Sequence, residues 1–321
     1  MSDPLGRGLG HGLGARAIIA VATLAARLPE GLAIRLADAA GSVAWRVSTR
    51  RRELARRNLG RVAAWLDQHG TGTPLARAAA HDPRALERLV RAAFRHHARY
   101  YLEVARTPRL GAAYVRDRLL VETPDEVAEA FAATPAAIFV GLHFGAIELP
   151  GLLFAARTGR EAVAPMEELH DPRLQAWFVR TRGAARIRIV GLREARRVLT
   201  AAIRAGNAVG LVADRDLTGG GIDTELFGSP TPLPAGPALL ALETGAPLYV
   251  AAVRRAGPGR YRGRLDPLAV PAEGSRRARV EAILAAEART FERVIADAPE
   301  QWWAVFSPIW PDLEPATGAA E

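Results

Sequence analysis

The sequence predicts an α/β fold in which a mostly parallel central sheet is flanked by helices and preceded by a helical N-terminal extension. Between residues 135 and 312, short apolar runs alternate with stretches of helical periodicity, a pattern typical of a parallel sheet covered by helices. Before residue 135, helical periodicity dominates. The 321 residues, 49% of them hydrophobic and 24% charged, suffice for one large globular domain of this class.

The helical region is expected to span residues 14–134 and to belong to the same domain as the sheet. Pro29 and the segment 70–74 interrupt its periodicity, and Pro83 lies close to the start of the next helix. No internal repeat and no linker sets this region apart from the α/β core, which is expected at residues 135–312.

Flexible tails are expected at the two ends of the chain, at residues 1–13 and 313–321. The first tail is rich in glycine, but no strand precedes it, so these glycines do not form a phosphate-binding loop. Before the second tail, the last helix leads into an aromatic segment at residues 301–310.

Five strands and five helices are predicted for the core. The strands are apolar runs of four to seven residues, at residues 136–142, 161–164, 187–190, 208–213 and 248–253. The helices follow or separate them, at residues 146–157, 172–182, 193–204, 235–244 and 276–298. In open α/β sheets, ligands bind beyond the carboxyl ends of the strands, so reactive side chains are sought there.

The composition narrows the function classes. The chain has no cysteine, which excludes disulfides, thiolate metal sites and cysteine nucleophiles. Its net charge of +9 is carried wholly by arginine, because the chain has no lysine. Aromatic residues make up only 6%, and no interleaved basic and aromatic motif appears, so nucleic acid is not an expected partner. Anionic membrane surfaces and acidic substrates remain as partners for the arginines.

An early apolar segment suggests contact with a membrane. The uncharged run at residues 17–26, between Arg16 and Arg27, is too short to span a bilayer, which takes about 20 residues. Basic residues flank it, and the segment 50–58 adds a cationic cluster, so an amphipathic helix lying in the membrane interface is one interpretation. A helical face packed on the domain is the other.

A histidine and a glutamate stand at the end of the first predicted core strand. His143 closes the apolar run, Gly145 follows it, and Glu148 falls in the first turn of the next predicted helix. On a continuous helix, positions five apart point about 140° away from each other, whereas a loop at a strand end can fold the imidazole back towards the carboxylate. That arrangement suits a general base oriented by an acid.

A second strand ends in Asp214, Arg215 and Asp216, and the topology places this end next to that of His143. The planar guanidinium of Arg215 is suited to bidentate binding of a phosphate. One aspartate would then hold this arginine or support His143. The alternative is an ion-paired turn without a role in the chemistry.

Two glycine-rich segments are further candidates. Gly236 lies at the predicted start of a helix whose free backbone N–H groups make an anion site possible, although a rigid loop ending in a helix cap explains the segment as well. The glycines at residues 219–221 predict a flexible hairpin or lid.

His96 and His97 are adjacent and face differently on a helix, so no metal site and no cofactor are expected. Since no Gly-x-Ser-x-Gly motif is present, direct transfer without a protein nucleophile is the simplest mechanism.

The pair His143 and Glu148 resembles the histidine–four residues–acid signature of the glycerolipid acyltransferase superfamily. The surrounding chain looks like its bacterial branch, which contains the lipid A acyltransferases and the phosphatidylinositol mannoside acyltransferases. Four segments carry this resemblance, the last three of them most similar to the mannoside enzymes, at residues 51–59, 211–228, 232–248 and 299–312. The resemblance covers residues 14–312.

The resemblance implies roles for site residues. His143 takes the position of the base, and Glu148 stands where an aspartate is more usual. In this branch an acid of the later block can itself complete the dyad, so Asp214 and Asp216 compete with Glu148 for the supporting role. The family's arginine of the middle block has three candidates in this chain, Arg180, Arg182 and Arg193.

The resemblance also implies an enzyme that moves a fatty acyl group from a thioester to a hydroxyl of a glycolipid. The mannoside enzymes use acyl-CoA as co-substrate, and the lipid A enzymes usually use acyl carrier protein. The expected location is the cytoplasmic face of the plasma membrane, in peripheral or monotopic association. Two alternatives remain: a lipid A-type acyltransferase with a carrier-protein donor, and a non-catalytic lipid-binding module at the membrane.

Overall fold

The computed structural model describes residues 13–134 and 136–314. Its strands are β1 (Leu119–Val121), β2 (Ile138–Gly141), β3 (Ala162–Met166), β4 (Ile187–Gly191), β5 (Ala208–Val212), β6 (Ile222–Leu226), β7 (Ser229–Leu233), β8 (Leu248–Gly257) and β9 (Arg260–Leu268). Seven of them form one sheet in the order β1-β9-β8-β2-β5-β3-β4, and β6 pairs with β7 as a separate hairpin. Within the sheet only β8 and β9 pair antiparallel, so the predicted mostly parallel sheet is confirmed.

Helices precede the sheet and cover it. They are α1 (Leu13–Ala25), α2 (Glu30–Val47), α3 (Thr49–Gln68), α4 (Pro74–Ala78), α5 (Pro83–Arg106), α6 (Ala112–Arg118), α7 (Pro124–Ala132), α8 (Leu149–Thr158), α9 (Pro172–Ala184), α10 (Ala195–Arg204), α11 (Gly236–Thr244) and α12 (Arg276–Ala296). Single 3₁₀ turns lie at Thr107–Arg109, Leu192–Glu194, Pro299–Gln301, Trp303–Phe306 and Pro311–Leu313. In the two described ranges, no helix is long and apolar enough to cross a bilayer.

The helix boundaries follow from prolines and caps. The side chain of Thr73 accepts a hydrogen bond from the N–H of Ala76 at 3.1 Å and starts α4. Asp82 caps α5 in the same way, with Pro83 in the first turn, where a missing N–H costs nothing. Pro29 precedes α2, so the predicted breaks in the helical region are confirmed.

The structure contains four strands that the sequence analysis omitted, β1, β6, β7 and β9. β9 alternates exposed or half-buried arginines with buried residues, a period of two that its charge obscured. β7 contains Pro230 and Pro232, which normally count against a strand, and they are tolerated because β7 has β6 as its one strand partner. The hairpin turn lies at Phe227 and Gly228, both with positive φ, and not at the glycines of residues 219–221.

The five predicted core helices are all present, and the largest difference is at the start of one of them. α8 starts at Leu149, whereas the prediction placed its start at residue 146. The reason is Gly145, whose φ of +52° takes the chain out of the helical region and turns residues 143–148 into a loop. The predicted tails fall mostly outside the described residues.

The C-terminal aromatic segment is part of the core. Trp302 and Trp310 are both completely buried. Asn58 of α3 holds this segment, because its side-chain amide donates to the carbonyl oxygens of Val305 at 2.9 Å and Ser307 at 3.0 Å. The N-terminal helices and the end of the chain are thereby joined next to the carboxyl edge of the sheet.

Replacing Gly41 by alanine is expected to destabilise the protein by about 1–3 kcal/mol, because this position of α2 touches α5. A Cβ at Gly41 would lie 2.6 Å from Cα of Arg95 and from the carbonyl oxygen of Phe94. Gly31→Ala, on the same helix with nothing within 4 Å of its Cβ, is the matched control and is expected to be neutral or slightly stabilising. Urea unfolding of both variants measures the difference, and equal midpoints would contradict the expectation.

Candidate active site

The ends of β2 and β5 bring a histidine and an aspartate into contact. The two strands pair in parallel with Gly141 opposite Val212, so His143 and Asp214 emerge side by side at one edge of the sheet. Nδ1 of His143 lies 2.6 Å from Oδ1 of Asp214, and the backbone N–H of His143 donates to Oδ2 at 2.9 Å. Because an ionised carboxylate only accepts hydrogen bonds, Nδ1 carries a proton, and in the neutral form of the ring the lone pair is therefore on Nε2. The convergence that the topology predicted is present.

Asp214 is held as an anion although its side chain is fully buried. Burial alone would raise the pKa of this carboxyl group. Two influences outweigh burial: the adjacent His143 ring, and the hydrogen bonds from His143 and from the indole N–H of Trp302 at 2.7 Å. The pKa of Asp214 is therefore below its ordinary value. A carboxylate fixed by three donors in turn fixes the tautomer and the orientation of the imidazole.

The turn after His143 requires glycine at position 145. A Cβ on Gly145 would lie 1.9 Å from the carbonyl oxygen of Val253 on β8. The N–H of Gly145 donates to the carbonyl oxygen of Gln301 at 3.0 Å, and that of Ala146 donates to Val253 at 2.9 Å. Gly145 therefore serves the geometry of the turn, and its contact with substrate stays a prediction.

A buried charge pair supports the same turn. Arg255 donates to the carbonyl oxygen of Gly145 at 2.9 Å and to both carboxylate oxygens of Glu103 on α5, at 2.8 and 2.6 Å. The side-chain amide of Gln301 accepts from the N–H of Arg255 at 2.8 Å and donates to its carbonyl oxygen at 2.9 Å. None of these three residues was predicted, because each is isolated in the chain and only the fold brings them together.

Glu148 pairs with Arg182 of α9 and not with His143. Nε of Arg182 lies 3.0 Å from Oε1 of Glu148, and its other nitrogens reach the sulfur of Met166 at 2.8 Å and the hydroxyl of Tyr100 at 3.4 Å. Burial lowers the pKa of Arg182, but Glu148 and Tyr100 outweigh it and raise that pKa above its ordinary value. The expectation that the loop folds His143 towards Glu148 is therefore wrong, because the turn at Gly145 directs the imidazole to the neighbouring strand end.

Asp216 and Arg215 lie beside the dyad in other roles. Asp216 accepts hydrogen bonds from the N–H groups of Thr218 at 2.9 Å and Gly221 at 2.8 Å, which closes the loop over residues 216–221. Burial raises the pKa of Asp216, but these hydrogen bonds outweigh it and the pKa is lowered. Arg215 is held by Ser307 at 2.9 Å and by Glu167 at 3.3 Å, and its Nε is buried without a hydrogen-bond partner among the described residues.

The remaining candidate residues, which are the arginines of the middle block and Gly236, are scattered. Arg180 is exposed on α9, and Arg193 is exposed in the 3₁₀ turn before α10. Gly236 is the first residue of α11, with the side chain of Leu211 at 3.8 Å from the position of a Cβ. Of the three arginine candidates, Arg182 is thus the one whose side chain joins the His143–Glu148 loop.

An aromatic cluster lies against His143. The ring of Trp303 is 4.6 Å from the His143 ring in an edge-on arrangement, and it stacks on Tyr100 at 4.4 Å. His97 packs beside Trp303 at 5.8 Å, and burial, followed by the charges of nearby arginines, holds its pKa well below the ordinary value. His97 is therefore neutral near His143. Within the part of the chain that the structure describes, no group of three or more acidic or histidine side chains is arranged to hold a metal ion.

A cavity lies on the face of the sheet that α7 and α8 cover. Small residues of neighbouring strands leave space on this face, namely Gly141, Ala164, Gly210, Ala251 and Gly263. The opposite face carries Ile138, Val140 and Val209 in its packed core. The empty space, including its open mouth, is about 1240 Å³. Its lining is apolar apart from three charged residues, Glu148, Arg182 and Arg264, and it includes Phe144, next to His143.

Glu287 of α12 is buried without a partner. Its exposed fraction is 0%, and neither carboxyl oxygen makes a hydrogen bond to any described residue. Burial and, secondarily, the negative charge of Asp214 raise the pKa of Glu287 well above its ordinary value. Because an unpaired buried charge is costly, the neutral acid is the form that this environment favours.

Replacing Glu287 by glutamine is expected to stabilise the protein more and more as the pH rises above about 4.3, the pKa of a glutamate in an unfolded chain. A group with a raised pKa in the folded state contributes stability that is lost as the pH rises, and glutamine has no proton to lose. Melting temperatures of both proteins from acid to mildly alkaline pH measure the effect. Glu281→Gln, on the exposed face of the same helix, is the control. Parallel pH curves for Glu287→Gln and the wild type would contradict the expectation.

Comparison with known proteins places these features in a family. The family model for bacterial lipid A biosynthesis acyltransferases matches residues 75–310. A phosphatidylinositol mannoside acyltransferase of Mycolicibacterium smegmatis is 30% identical over 226 residues, which are 69% of this chain and 72% of that protein. A phosphatidylinositol mannoside acyltransferase of Mycobacterium tuberculosis is 32% identical over 202 residues, 61% of this chain and 59% of that protein.

The match covers the whole of the sheet and both members of the His143–Asp214 pair. Membership of a family of enzymes also decides against the non-catalytic lipid-binding module. The chain belongs to the bacterial lipid A biosynthesis acyltransferase family and is an acyltransferase.

Proposed function

We propose that this acyltransferase moves a fatty acyl group from acyl-CoA to a hydroxyl of a glycolipid resembling a phosphatidylinositol mannoside, with His143 as general base. The observation that carries the proposal is the 2.6 Å contact between Nδ1 of His143 and Asp214, which leaves the basic Nε2 for a substrate hydroxyl. The acceptor class comes from the relatives, whose names specify phosphatidylinositol mannoside.

The proposed reaction needs no protein nucleophile. Nε2 of His143 takes the proton of the acceptor hydroxyl as its oxygen attacks the thioester carbonyl carbon. The tetrahedral intermediate collapses with cleavage of the C–S bond, and the imidazolium returns the proton to the departing thiolate. An ester and free CoA result. Asp214 stays ionised throughout and stabilises the imidazolium.

The apolar cavity supports a fatty acyl donor. Its lining includes Phe144, directly after the proposed base, and residues of α8. An acyl chain placed there would be removed from water, while its carbonyl carbon stays at the edge of the sheet. Arg215, 18% of whose side chain is exposed next to Asp214, is proposed to bind a phosphate of the donor or the acceptor. Gly236 and Arg180 remain weaker candidates for substrate contact.

Three substitutions test the assignment of the dyad. His143→Ala is expected to abolish transfer, and Asp214→Asn to lower kcat by about 10²–10⁴-fold, because asparagine removes the charge that stabilises the imidazolium. Glu148→Gln is expected to have a smaller effect, through its contact with Arg182. Steady-state rates with acyl-CoA and phosphatidylinositol mannoside, on variants with unchanged melting temperatures, are the measurement. Near-normal activity of Asp214→Asn would contradict the assignment of Asp214 as the partner of the base.

A lipid A-type acyltransferase with a carrier-protein donor is the second candidate, favoured by the description of the family model. Acyl-CoA and acylated carrier protein compete for one site, so a mixture of the two donors with distinguishable acyl chains decides between them. Preferential use of the carrier-bound chain would overturn the acyl-CoA proposal.

The surface of α1 and α2 supports association with a membrane. Leu32, Leu36, Val43 and Val47 form one stripe along α2, and all four are exposed. α1 adds exposed Ile18, Val21 and Leu24, and arginines 46, 50 and 52 lie nearby in the chain. An apolar stripe that is exposed among the described residues, with cationic residues near it in the chain, suits the interface of an anionic bilayer. Since acyl-CoA is a cytoplasmic donor, we place the protein on the cytoplasmic face of the plasma membrane, in peripheral or monotopic association.

The double variant Leu36→Glu, Val43→Glu is expected to reduce binding to anionic vesicles at least about tenfold, because each buried Leu or Val side chain contributes roughly 1.5–3 kcal/mol. Co-flotation with vesicles of phosphatidylglycerol and phosphatidylcholine measures it. Leu192→Glu, an exposed apolar residue beyond β4, is the matched control. Unchanged flotation of the double variant would exclude α2 as the docking surface.

A further inference from the structure

Three phenylalanines in mutual contact belong to the lining of the cavity. The rings of Phe131, Phe139 and Phe154 are mutually packed, with centroids 6.2, 5.2 and 5.8 Å apart, and all three arrangements are edge-on. All three line the cavity. Phe139 lies on β2 four residues before His143, about 13 Å away at roughly 3.3 Å per residue.

Phe131 also faces a second space. Phe131 and its neighbours Ala128 and Ala132 on α7 line a recess open to solvent, together with Arg157, Thr158 and Arg160. Phe131 is thus shared by the lining of the internal cavity and that of the surface recess.

Arg160 contacts two of these phenylalanines. Its Nη2 donates to the carbonyl oxygen of Phe131, and Nη1 donates to the carbonyl oxygen of Gly206 at 3.3 Å. Its guanidinium carbon also lies 5.2 Å from the centre of the Phe154 ring. Arg160 therefore connects the end of α7 to Phe154 of α8 and to the loop before β5.

We propose that Phe131 sets the longest acyl chain that this acyltransferase accepts. The inference rests on the proposed function, in which the cavity takes the acyl chain. A chain that enters beside Phe144 meets the phenylalanine cluster, and each methylene beyond that point has no space. Removing the Phe131 ring joins the cavity to the recess and lets a longer chain pass through.

The test is the chain-length profile of transfer. Saturated acyl-CoAs of increasing length are supplied with phosphatidylinositol mannoside, and kcat/KM is measured for each length. Phe131→Ala is expected to raise the preference for donors longer than the wild-type optimum by roughly tenfold or more, the effect of one methylene in an apolar pocket. Phe131→Leu, which keeps the core better filled, is expected to shift the profile in the same direction by less. It serves as the second variant if Phe131→Ala melts too early for assay.

Ala128 supplies the matched control. Its position lines the recess but not the cavity, so Ala128→Trp alone is expected to leave the profile unchanged. Combined with Phe131→Ala, it covers the opened exit and is expected to return the preference towards the wild-type optimum. Folded Phe131 variants that keep the wild-type profile would overturn the inference.

Binding separates this inference from the proposed function. Native mass spectrometry of the same acyl-CoA series on His143→Ala reports occupancy of the cavity without turnover. In one outcome the wild-type protein transfers no acyl chain, but adding Phe131→Ala to the His143→Ala variant still allows longer acyl-CoAs to bind. The donor or acceptor assignment then fails, and the role of Phe131 stands. If transfer proceeds and both profiles ignore Phe131, the role of Phe131 fails alone.

Discussion

The buried carboxylate of Asp214 is the point on which the rest of the site depends. It accepts hydrogen bonds from two donors of His143 and from the indole of Trp302, and so joins the ends of two parallel strands to the C-terminal segment. These donors and the adjacent imidazole keep it ionised in spite of burial. If Asp214 lost its charge, neither the tautomer of His143 nor the position of its loop would be fixed by these hydrogen bonds. The orientation of the imidazole and the local packing therefore depend on the same interaction.

The two faces of the sheet serve different purposes. Branched aliphatic side chains on one face fill the core against α3, α5, α11 and α12. Glycine and alanine on the other face leave an apolar cavity that begins next to the proposed base. The strands thus bring His143 and Asp214 together at their carboxyl ends and, through small residues, leave an apolar space on one face.

Much of this arrangement was predictable from the sequence, and the limits of prediction have physical causes. The parallel strands, their helices and the two reactive strand ends follow from hydrophobic periodicity, which is a local property. β9 escaped because arginines occupy its outward positions, and β7 because prolines are tolerated where a strand has one partner. Arg255, Glu103, Gln301 and Trp303 escaped because buried charge pairs and ring contacts join distant parts of the chain. The lining of the cavity depends on which strand face α8 covers, which no single segment encodes.

The sequence by itself determined the fold class and the family resemblance, and it singled out His143 as a candidate, because periodicity and short motifs are properties of consecutive residues. Only the tertiary structure decided which acidic side chain forms a hydrogen bond with His143. Glu148 is only five residues from His143 along the chain, yet it forms an ion pair with Arg182, because the chain turns at Gly145, which has a positive φ. Asp214, 71 residues away, lies in contact because parallel pairing of β2 and β5 aligns their ends. Distance in space is set by strand order, and strand order is a property of the whole fold.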